Sequence, residues 1–221
     1  MKLAIPKTYS KHDMRYAYRT AMDIVKIAMR EGDATKTSRA DVIRLFMKTL
    51  KIDLFGSDLT RILFPSTDAS RKLKKDFIPH FPLPKNHTVE SRKNMPVGDN
   101  TIVSVPWNKK RWGKAICDLA CDDFDYTKDN FTGVFFPELQ LIQVRNGRHH
   151  LALAKLKNQG ALTVEVHPLT LCFPYFKTDG AYWIDERSGK KKPVGEIRFA
   201  ILYALARELW KEENRDASNS S

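Results

Sequence analysis

The segment from residue 139 to residue 160 constrains the fold more than any other part of the chain. Residues 139–144 alternate in hydrophobicity and predict a β-strand, while residues 148–158 carry apolar side chains at helical spacing. Between them lies Asn146-Gly147, a pair that tolerates positive φ and lets the chain turn sharply. Gly160 is the expected C-cap of the helix, and residues 162–167 predict the next strand. The pattern therefore predicts an α+β (α/β) protein.

The whole chain divides into three regions and a C-terminal tail. Residues 1–64 predict a helical N-terminal region, in which a first helix begins at Ser10 and Asp13 and ends at Gly32. Residues 65–98 contain five prolines among many basic residues and predict a linker or long surface loop. Residues 99–213 hold the α/β pattern and a C-terminal helix after Pro193, and the polar tail 214–221 is expected to be disordered.

The charge balance favours a polyanionic partner. The chain has 38 Lys and Arg against 26 Asp and Glu, which gives a formal net charge of +12 at pH 7. A nucleic acid is the first expectation, because binding it releases counterions from the phosphates, and an anionic membrane surface is the second. No apolar run predicts insertion into a membrane and no signal peptide is evident. Three cysteines do not make a disulfide framework, so a reducing cytoplasm is expected.

The turn at Gly147 is the first candidate site. A helix that begins just after a tight turn directs its N–H groups toward an anion, and Arg148 can offer a guanidinium fork to a phosphate. His149 or His150 is a candidate neutral base, because a helix N-terminus lowers the pKa of an imidazole. Glu138, which precedes the strand, is a candidate acid, although the sequence leaves open the end of the strand at which it lies. The predicted catalytic residues are His149, His150 and Glu138.

Basic and polar residues around the turn extend the predicted site. Trp107 flanks the basic run at 109–111, and aromatic residues beside basic ones favour stacking on single-stranded bases. A core tryptophan beside a solvated basic turn explains the same pattern equally well. The predicted phosphate- or DNA-binding residues are Trp107, Asn108, Lys110, Arg111, Arg145, Asn146, Gly147 and Arg148. The three lysines at 190–192 are interpreted most simply as a solvated turn.

A metal site is less well defined by the sequence. Five acidic residues precede the short strand at 134–136 and are typical of a magnesium site, although a polar loop at the end of a helix has the same composition. They are Asp118, Asp122, Asp123, Asp125 and Asp129.

The order of elements and the run Gly147-Arg148-His149-His150-Leu151-Ala152 together resemble the ParB/sulfiredoxin fold. In that family a strand leads through a short glycine turn into a basic helix, with an upstream polar turn such as Pro106-Trp107-Asn108 here. The resemblance covers about residues 100 to 170 and implies a mixed sheet with packed helices. Sulfiredoxins need a cysteine where this chain has Arg148, so sulfinic acid reduction is excluded. ParB proteins carry an acid at that position and a following helix-turn-helix domain, which argues against CTP-dependent DNA clamping here.

The small plasmid-encoded fertility-inhibition (oncogenic suppression) members remain the most similar type. That resemblance implies a cytoplasmic DNase and ATPase that uses ATP and Mg²⁺ to attack transferred plasmid DNA or T-DNA and so blocks conjugation. One alternative is a non-catalytic DNA-binding or regulatory module of a mobile element. A second alternative is a protein that blocks a partner in the conjugation or secretion machinery by surface contact, with its N-terminal helices and basic loop as the contact surface.

Overall fold

The computed structural model describes residues 10–63, 90–98, 100–104, 108–120 and 131–219. These residues form two compact units, which are described separately. The first comprises described residues 52–63 and those from 90 to 169, and the second comprises residues 10–51 and 170–219. This division differs from the predicted one, because the C-terminal helix belongs with the first helix rather than with the α/β segment before it.

The first unit is built on a five-stranded mixed sheet. The strands are β1 (Glu90–Pro96), β2 (Thr101–Val103), β3 (Thr132–Phe136), β4 (Leu141–Asn146) and β5 (Ala161–Val166), in the order β1-β5-β3-β4-β2. β2 runs parallel to β4, and β3 runs parallel to β5, whereas the β3–β4 and β1–β5 pairs are antiparallel. The predicted α+β class and mixed sheet are therefore confirmed.

Two helices accompany this sheet, α3 (Lys109–Ala120) and α4 (Arg148–Lys157). Apolar side chains of both helices join those of the strands in one buried cluster, which includes Ile102, Leu119, Ile142, Leu151 and Val164. Burying these side chains is the main stabilising contribution to the unit. A 3₁₀ turn, Pro137–Leu139, connects β3 to β4, so the predicted strand at 139–144 begins two residues later than its pattern indicated.

The part predicted to be a linker contains a strand. β1 is an edge strand and pairs with β5 from Pro96 opposite Ala161 to Glu90 opposite Val166. Its sequence is polar, with Lys93 and Pro96, which is acceptable at an edge because that side of the sheet has no further partner. The part of the linker prediction that covers residues 65–89 lies outside the described residues.

The second unit contains α1 (Lys11–Thr35), the first part of α2 (Arg39–Leu63), α5 (Ile197–Asn219) and a three-stranded antiparallel sheet. The strands are β6 (Phe176–Thr178), β7 (Tyr182–Asp185) and β8 (Lys191–Pro193). Phe173, Trp183 and Tyr203 meet edge to face in its core, with ring centroids 5.3 Å apart in the Phe173–Tyr203 and Trp183–Tyr203 pairs. Aromatic stacking of this kind fixes the sheet against α5.

The helix ends differ from prediction at three points. Ser10 and Asp13 form the expected capping box, but α1 continues past Gly32 to Thr35 and ends at Lys36 in a left-handed conformation. Asn158, rather than Gly160, is the C-cap of α4, because asparagine also tolerates positive φ. α5 remains helical through Asn219, so most of the tail expected to be disordered is helix.

Candidate functional site

Gly147 forms a turn that no other residue type fits. It joins β4 to α4 with φ at +83°, in the left-handed region that side chains disfavour. A Cβ at this position would overlap the ring of Phe131, which packs directly against the glycine. As the N-cap of α4, Gly147 also has no side-chain oxygen with which to bond the first-turn N–H groups. The first-turn N–H groups of α4 therefore have no capping side chain from Gly147.

Two helices begin at this edge of the sheet because β2 and β4 are parallel. β2 leads toward α3 and β4 leads into α4, so both helix N-termini follow the carboxyl ends of neighbouring strands. The Ser104 hydroxyl donates a hydrogen bond to the carbonyl oxygen of Arg148, and the Asn108 N–H donates to Nε2 of His149 over 3.2 Å. These bonds join the two helix starts. Helix N-termini carry partial positive charge, so their pairing favours an anion.

Asn108 caps the start of α3 with its side-chain and carbonyl oxygens. Its Oδ1 accepts the N–H of Arg111 at 3.0 Å, and its carbonyl oxygen accepts the N–H of Trp112 at 2.9 Å. Its own N–H is the donor to His149. Asn108 therefore holds the start of α3 in place and connects it to α4, so a structural role explains the residue that the sequence suggested for phosphate contact.

Arg148 is the most unusual charged group at the turn. Its side chain is partly buried, and within the described part of the chain it has no carboxylate partner. Burial lowers the pKa of its guanidinium from the usual value, and among the described residues no acid offsets this effect. A partly desolvated cation without a counter-ion is unfavourable, so an anion bound here would be strongly stabilised.

His149 is neutral at pH 7. Only 7 % of it is exposed, and burial, followed by the charges of Arg111, His150 and Arg148, lowers its pKa from 6.5 to about 4. Since Nε2 accepts the Asn108 N–H, the proton of the neutral ring lies on Nδ1. The lone pair that a general base would use is thus already engaged. His149 is placed as a structural acceptor at the turn.

His150 pairs with a carboxylate. Its Nε2 lies 3.1 Å from Oδ2 of Asp118, which Lys114 also contacts at 3.1 Å. The hydrogen bond from His150, followed by that from Lys114, lowers the pKa of Asp118. The ring of His150 also lies 6.1 Å from that of Phe131, centroid to centroid. A histidine oriented by an aspartate is the arrangement that acid–base catalysis uses, so His150 fits a catalytic role better than His149.

Two predicted site residues lie elsewhere. Arg145 occupies a bulge in β4 and bonds Glu165 of β5 at 2.6 Å, so its guanidinium is already paired. Glu138 lies in the 3₁₀ turn before β4, where its Oε2 accepts the N–H of Leu169 at 2.9 Å. β4 is six residues long, which separates Glu138 from Gly147 by about 20 Å. Glu138 therefore does not join the turn.

The other predicted residues lie near the turn or outside the described residues. Asn146 is exposed at the end of β4, and Lys110 and Arg111 are exposed on the first turn of α3. Arg111 is close enough for its charge to lower the pKa of His149. Trp107, Asp122, Asp123, Asp125 and Asp129 are outside the residues described. Within the described ranges, no group of three or more His, Cys, Asp or Glu side chains could hold a metal ion.

Two contributors to the site were missed from the sequence. Phe131 covers the glycine turn, and Ser104 anchors the first carbonyl of α4. Ser104 directly follows β2, so a polar residue at a strand end was an available signal. Phe131 had no such signal, because its proximity to Gly147 depends on the pairing of β3 with β4.

The fold and the turn define an α+β protein in which two helix N-termini and a partly buried arginine meet at one edge of a mixed sheet. The chain belongs to DUF6710, a family of unknown function whose model matches residues 3–216. Comparisons with curated proteins and with solved structures find no match. No helix in the described residues is long and apolar enough to cross a membrane.

Proposed function

We propose that this protein binds the phosphates of DNA at the Gly147 turn. The observation that carries the proposal is the guanidinium of Arg148, which is partly buried beside a helix N-terminus and has no acid partner among the described residues. Arg111 adds a second positive charge close to the same helix start. An oxyanion at this position would gain a charge-assisted bond and the favourable field of two helices.

A long polyanion fits better than a small anion because of the charge of the whole chain. The formal net charge of +12 attracts a nucleic acid to the protein as a whole. Binding of a single phosphate would need only the charges at the turn. The phosphates of ATP share the chemistry of the DNA backbone, so the same turn is where a nucleotide would bind. The likeness to ParB/sulfiredoxin-type proteins supports a nucleotide as competitor or cofactor.

The first experiment is a binding titration. Fluorescently labelled single- and double-stranded oligonucleotides are titrated with wild-type protein and Arg148→Gln over a series of salt concentrations. We expect Arg148→Gln to bind about ten-fold more weakly, since one charge-assisted contact is lost. The matched control is Arg39→Gln, which removes an equal charge from an exposed arginine paired with Asp33 at 2.7 Å. Equal affinities for the two variants would refute the proposed site.

A second candidate function is phosphoester hydrolysis, for which the His150–Asp118 pair is the specific support. In this proposal the protein is an ATP-using nuclease of the fertility-inhibition type, with Arg148 binding phosphate and His150 moving a proton. Asp118 would orient the ring. Mg²⁺ would neutralise the phosphate charge when bound, but the described residues do not define its ligands.

The hydrolysis proposal has its own test. DNA cleavage and phosphate release are followed with and without ATP, CTP and Mg²⁺, for wild type, His150→Gln and Asp118→Asn. Activity that falls at least about a hundred-fold in both folded variants would support catalysis by this pair. His12→Gln, an exposed histidine of α1, is the control for contaminating nucleases. DNA binding without turnover in any mixture would leave the non-catalytic DNA-binding module.

A further inference from the structure

The hairpin between β7 and β8 is a fixed, basic loop in the second unit. Asp185 accepts bonds from the N–H of Arg187 at 3.0 Å and from the hydroxyl of Ser188 at 3.0 Å. The carbonyl oxygens of Lys190 and Asp185 accept the N–H groups of Asp185 and Gly189, respectively, at 3.0 and 2.8 Å. These bonds hold the loop in one conformation, so little backbone entropy would be lost when a partner binds it.

Three successive lysines at the end of this loop have no oppositely charged partner among the described residues. Lys190, Lys191 and Lys192 are all exposed, and none has a carboxylate partner in the described part of the chain. Neighbouring cations of the same unit differ, because Lys177 and Arg207 both pair with Glu186, at 2.9 and 2.7 Å. Lys191 and Lys192 lie on β8, the edge strand, and face opposite sides of the sheet. The lysines therefore surround the edge with positive charge.

An arginine stacked on an aromatic ring lies beside the lysines. The guanidinium carbon of Arg187 is 4.6 Å from the ring centroid of Tyr175 and 5.5 Å from that of Phe176. Its Nε bonds Asp185 at 3.2 Å, which fixes the plane of the group. Tyr175 is 38 % exposed. A guanidinium plane held against a ring in this way offers a flat surface on which an unpaired base can stack.

We propose that the hairpin at residues 185–192 is a second binding surface, which takes a single-stranded segment of nucleic acid. Lys190, Lys191 and Lys192 would contact consecutive phosphates, and Arg187 on Tyr175 would stack on a base. The inference rests on the proposed function in that it assumes the same polyanion, but it uses residues of the other unit. An anionic membrane fits less well, because the hairpin sequence contains no large apolar side chain to anchor it.

The test compares four proteins in the same salt titration. They are wild type, the hairpin variant Lys190→Gln/Lys191→Gln/Lys192→Gln, Arg148→Gln, and the charge-matched control Lys26→Gln/Arg30→Gln/Lys48→Gln, whose residues are exposed on α1 and α2. We expect the hairpin variant to bind single strands at least ten-fold more weakly, with the slope of log affinity against log salt reduced by about 2. Loss equal to that of the control would overturn the proposal.

A fifth protein, Arg187→Lys, keeps the charge and removes the planar group. We expect single-strand affinity to fall about five-fold or more, with duplex affinity and the salt slope unchanged. Equal loss for duplex, or binding of anionic lipid vesicles without binding of oligonucleotides, would overturn the assignment to single strands. If the hairpin variant loses affinity and Arg148→Gln does not, the hairpin is retained as a binding surface and the Gly147 turn is rejected. If only Arg148→Gln loses affinity, the turn is retained and the hairpin is rejected.

Discussion

Gly147 in the first unit and Gly180 in the second both form tight turns, but the charged groups beside them differ. Both have positive φ, +83° and +88°, and at both a Cβ would collide with an aromatic residue, Phe131 in one case and Tyr18 in the other. Next to Gly180, Asp179 is fully engaged, since it accepts the N–H groups of Ala181 and Tyr182 and bonds Arg15 at 3.0 Å. A tight glycine turn is thus not in itself evidence of a binding site.

The neighbouring charge distinguishes the two turns. At Gly180 the charges of Arg15 and Asp179 neutralise each other, so packing alone explains the turn. At Gly147 the arginine lacks such a partner among the described residues, and burial lowers its pKa. The uncompensated group, rather than the glycine motif, therefore identifies the candidate site.

Replacing Gly147 by alanine should produce the largest change in stability. The added Cβ meets the Phe131 ring, and alanine is strained in the left-handed conformation that this position has, so we expect a loss of about 2–4 kcal/mol in the free energy of unfolding. Gly180→Ala should behave alike for the same reasons. Denaturant unfolding measures both.

The control for this prediction is Gly189→Ala. Gly189 also has positive φ, +66°, but nothing lies within 4 Å of its Cβ position. Only the backbone strain remains there, which costs about 1–2 kcal/mol. If Gly147→Ala lost no more stability than Gly189→Ala, close packing at the Gly147 turn would be excluded.

Acidification should weaken the Gly147 turn through His149. Its pKa is lowered from 6.5 to about 4 in the folded protein, so protons bind the unfolded chain more readily. The stabilising contribution is complete above pH 6.5, is lost as the pH falls toward 4, and changes no further below that value. We expect a loss of about 2–3 kcal/mol over this window.

The measurement is the free energy of unfolding at several pH values between 7 and 4, for wild type and His149→Gln. Glutamine keeps an acceptor for the Asn108 N–H but does not titrate. The difference between the two proteins isolates the contribution of His149 from that of the carboxylates. Parallel curves for the two proteins would contradict the neutral, buried state of this histidine.

Removing a helix cap in each unit should cost the same stability but differ in effect on binding. Asn108→Ala removes the acceptor for the Arg111 N–H, and Ser10→Ala removes the acceptor for the Asp13 N–H. Each should lower the free energy of unfolding by about 1 kcal/mol. Only Asn108→Ala should weaken DNA binding, because it loosens the helix start beside Arg148. Equal binding by the two variants would separate α3 from the site.

The sequence predicted several local features of both units. The turn at Gly147 and the helix after it follow from Asn146-Gly147 and the apolar spacing, and the capping box at Ser10 follows from Asp13 three residues later. Such signals act over a few residues and need no tertiary information. The edge strand β1 was missed, because its polar sequence carries no alternation and its pairing with β5 joins distant parts of the chain.

The site itself could be predicted only in part for the same reason. Gly147 and Arg148 are local to the turn, and the placement of Arg111 follows from the parallel pairing of β2 and β4. The position of Glu138 depended on the length and direction of β4, which the sequence left open. Arg145 is predicted to approach the turn from a neighbouring element, but the bulge and Glu165 give its side chain a different partner.

Replacing Arg15 or Arg148 should have the smallest effect on stability. Arg15→Gln breaks a pair whose side chains are 39 % and 31 % exposed, and exposed pairs of this kind contribute about 0.2–1 kcal/mol. Arg148→Gln removes a partly desolvated cation that has no carboxylate partner among the described residues, so stability should remain within about 0.5 kcal/mol of wild type or rise. Thermal and denaturant unfolding of both variants, in low and high salt, measures the difference. A binding site retains an unfavourable charge because its ligand compensates that charge. Of these two variants, Arg148→Gln should therefore weaken DNA binding more and destabilise the fold less. If Arg148→Gln were clearly destabilised, the guanidinium would have a structural partner of its own, and the reason for placing an anion there would be lost.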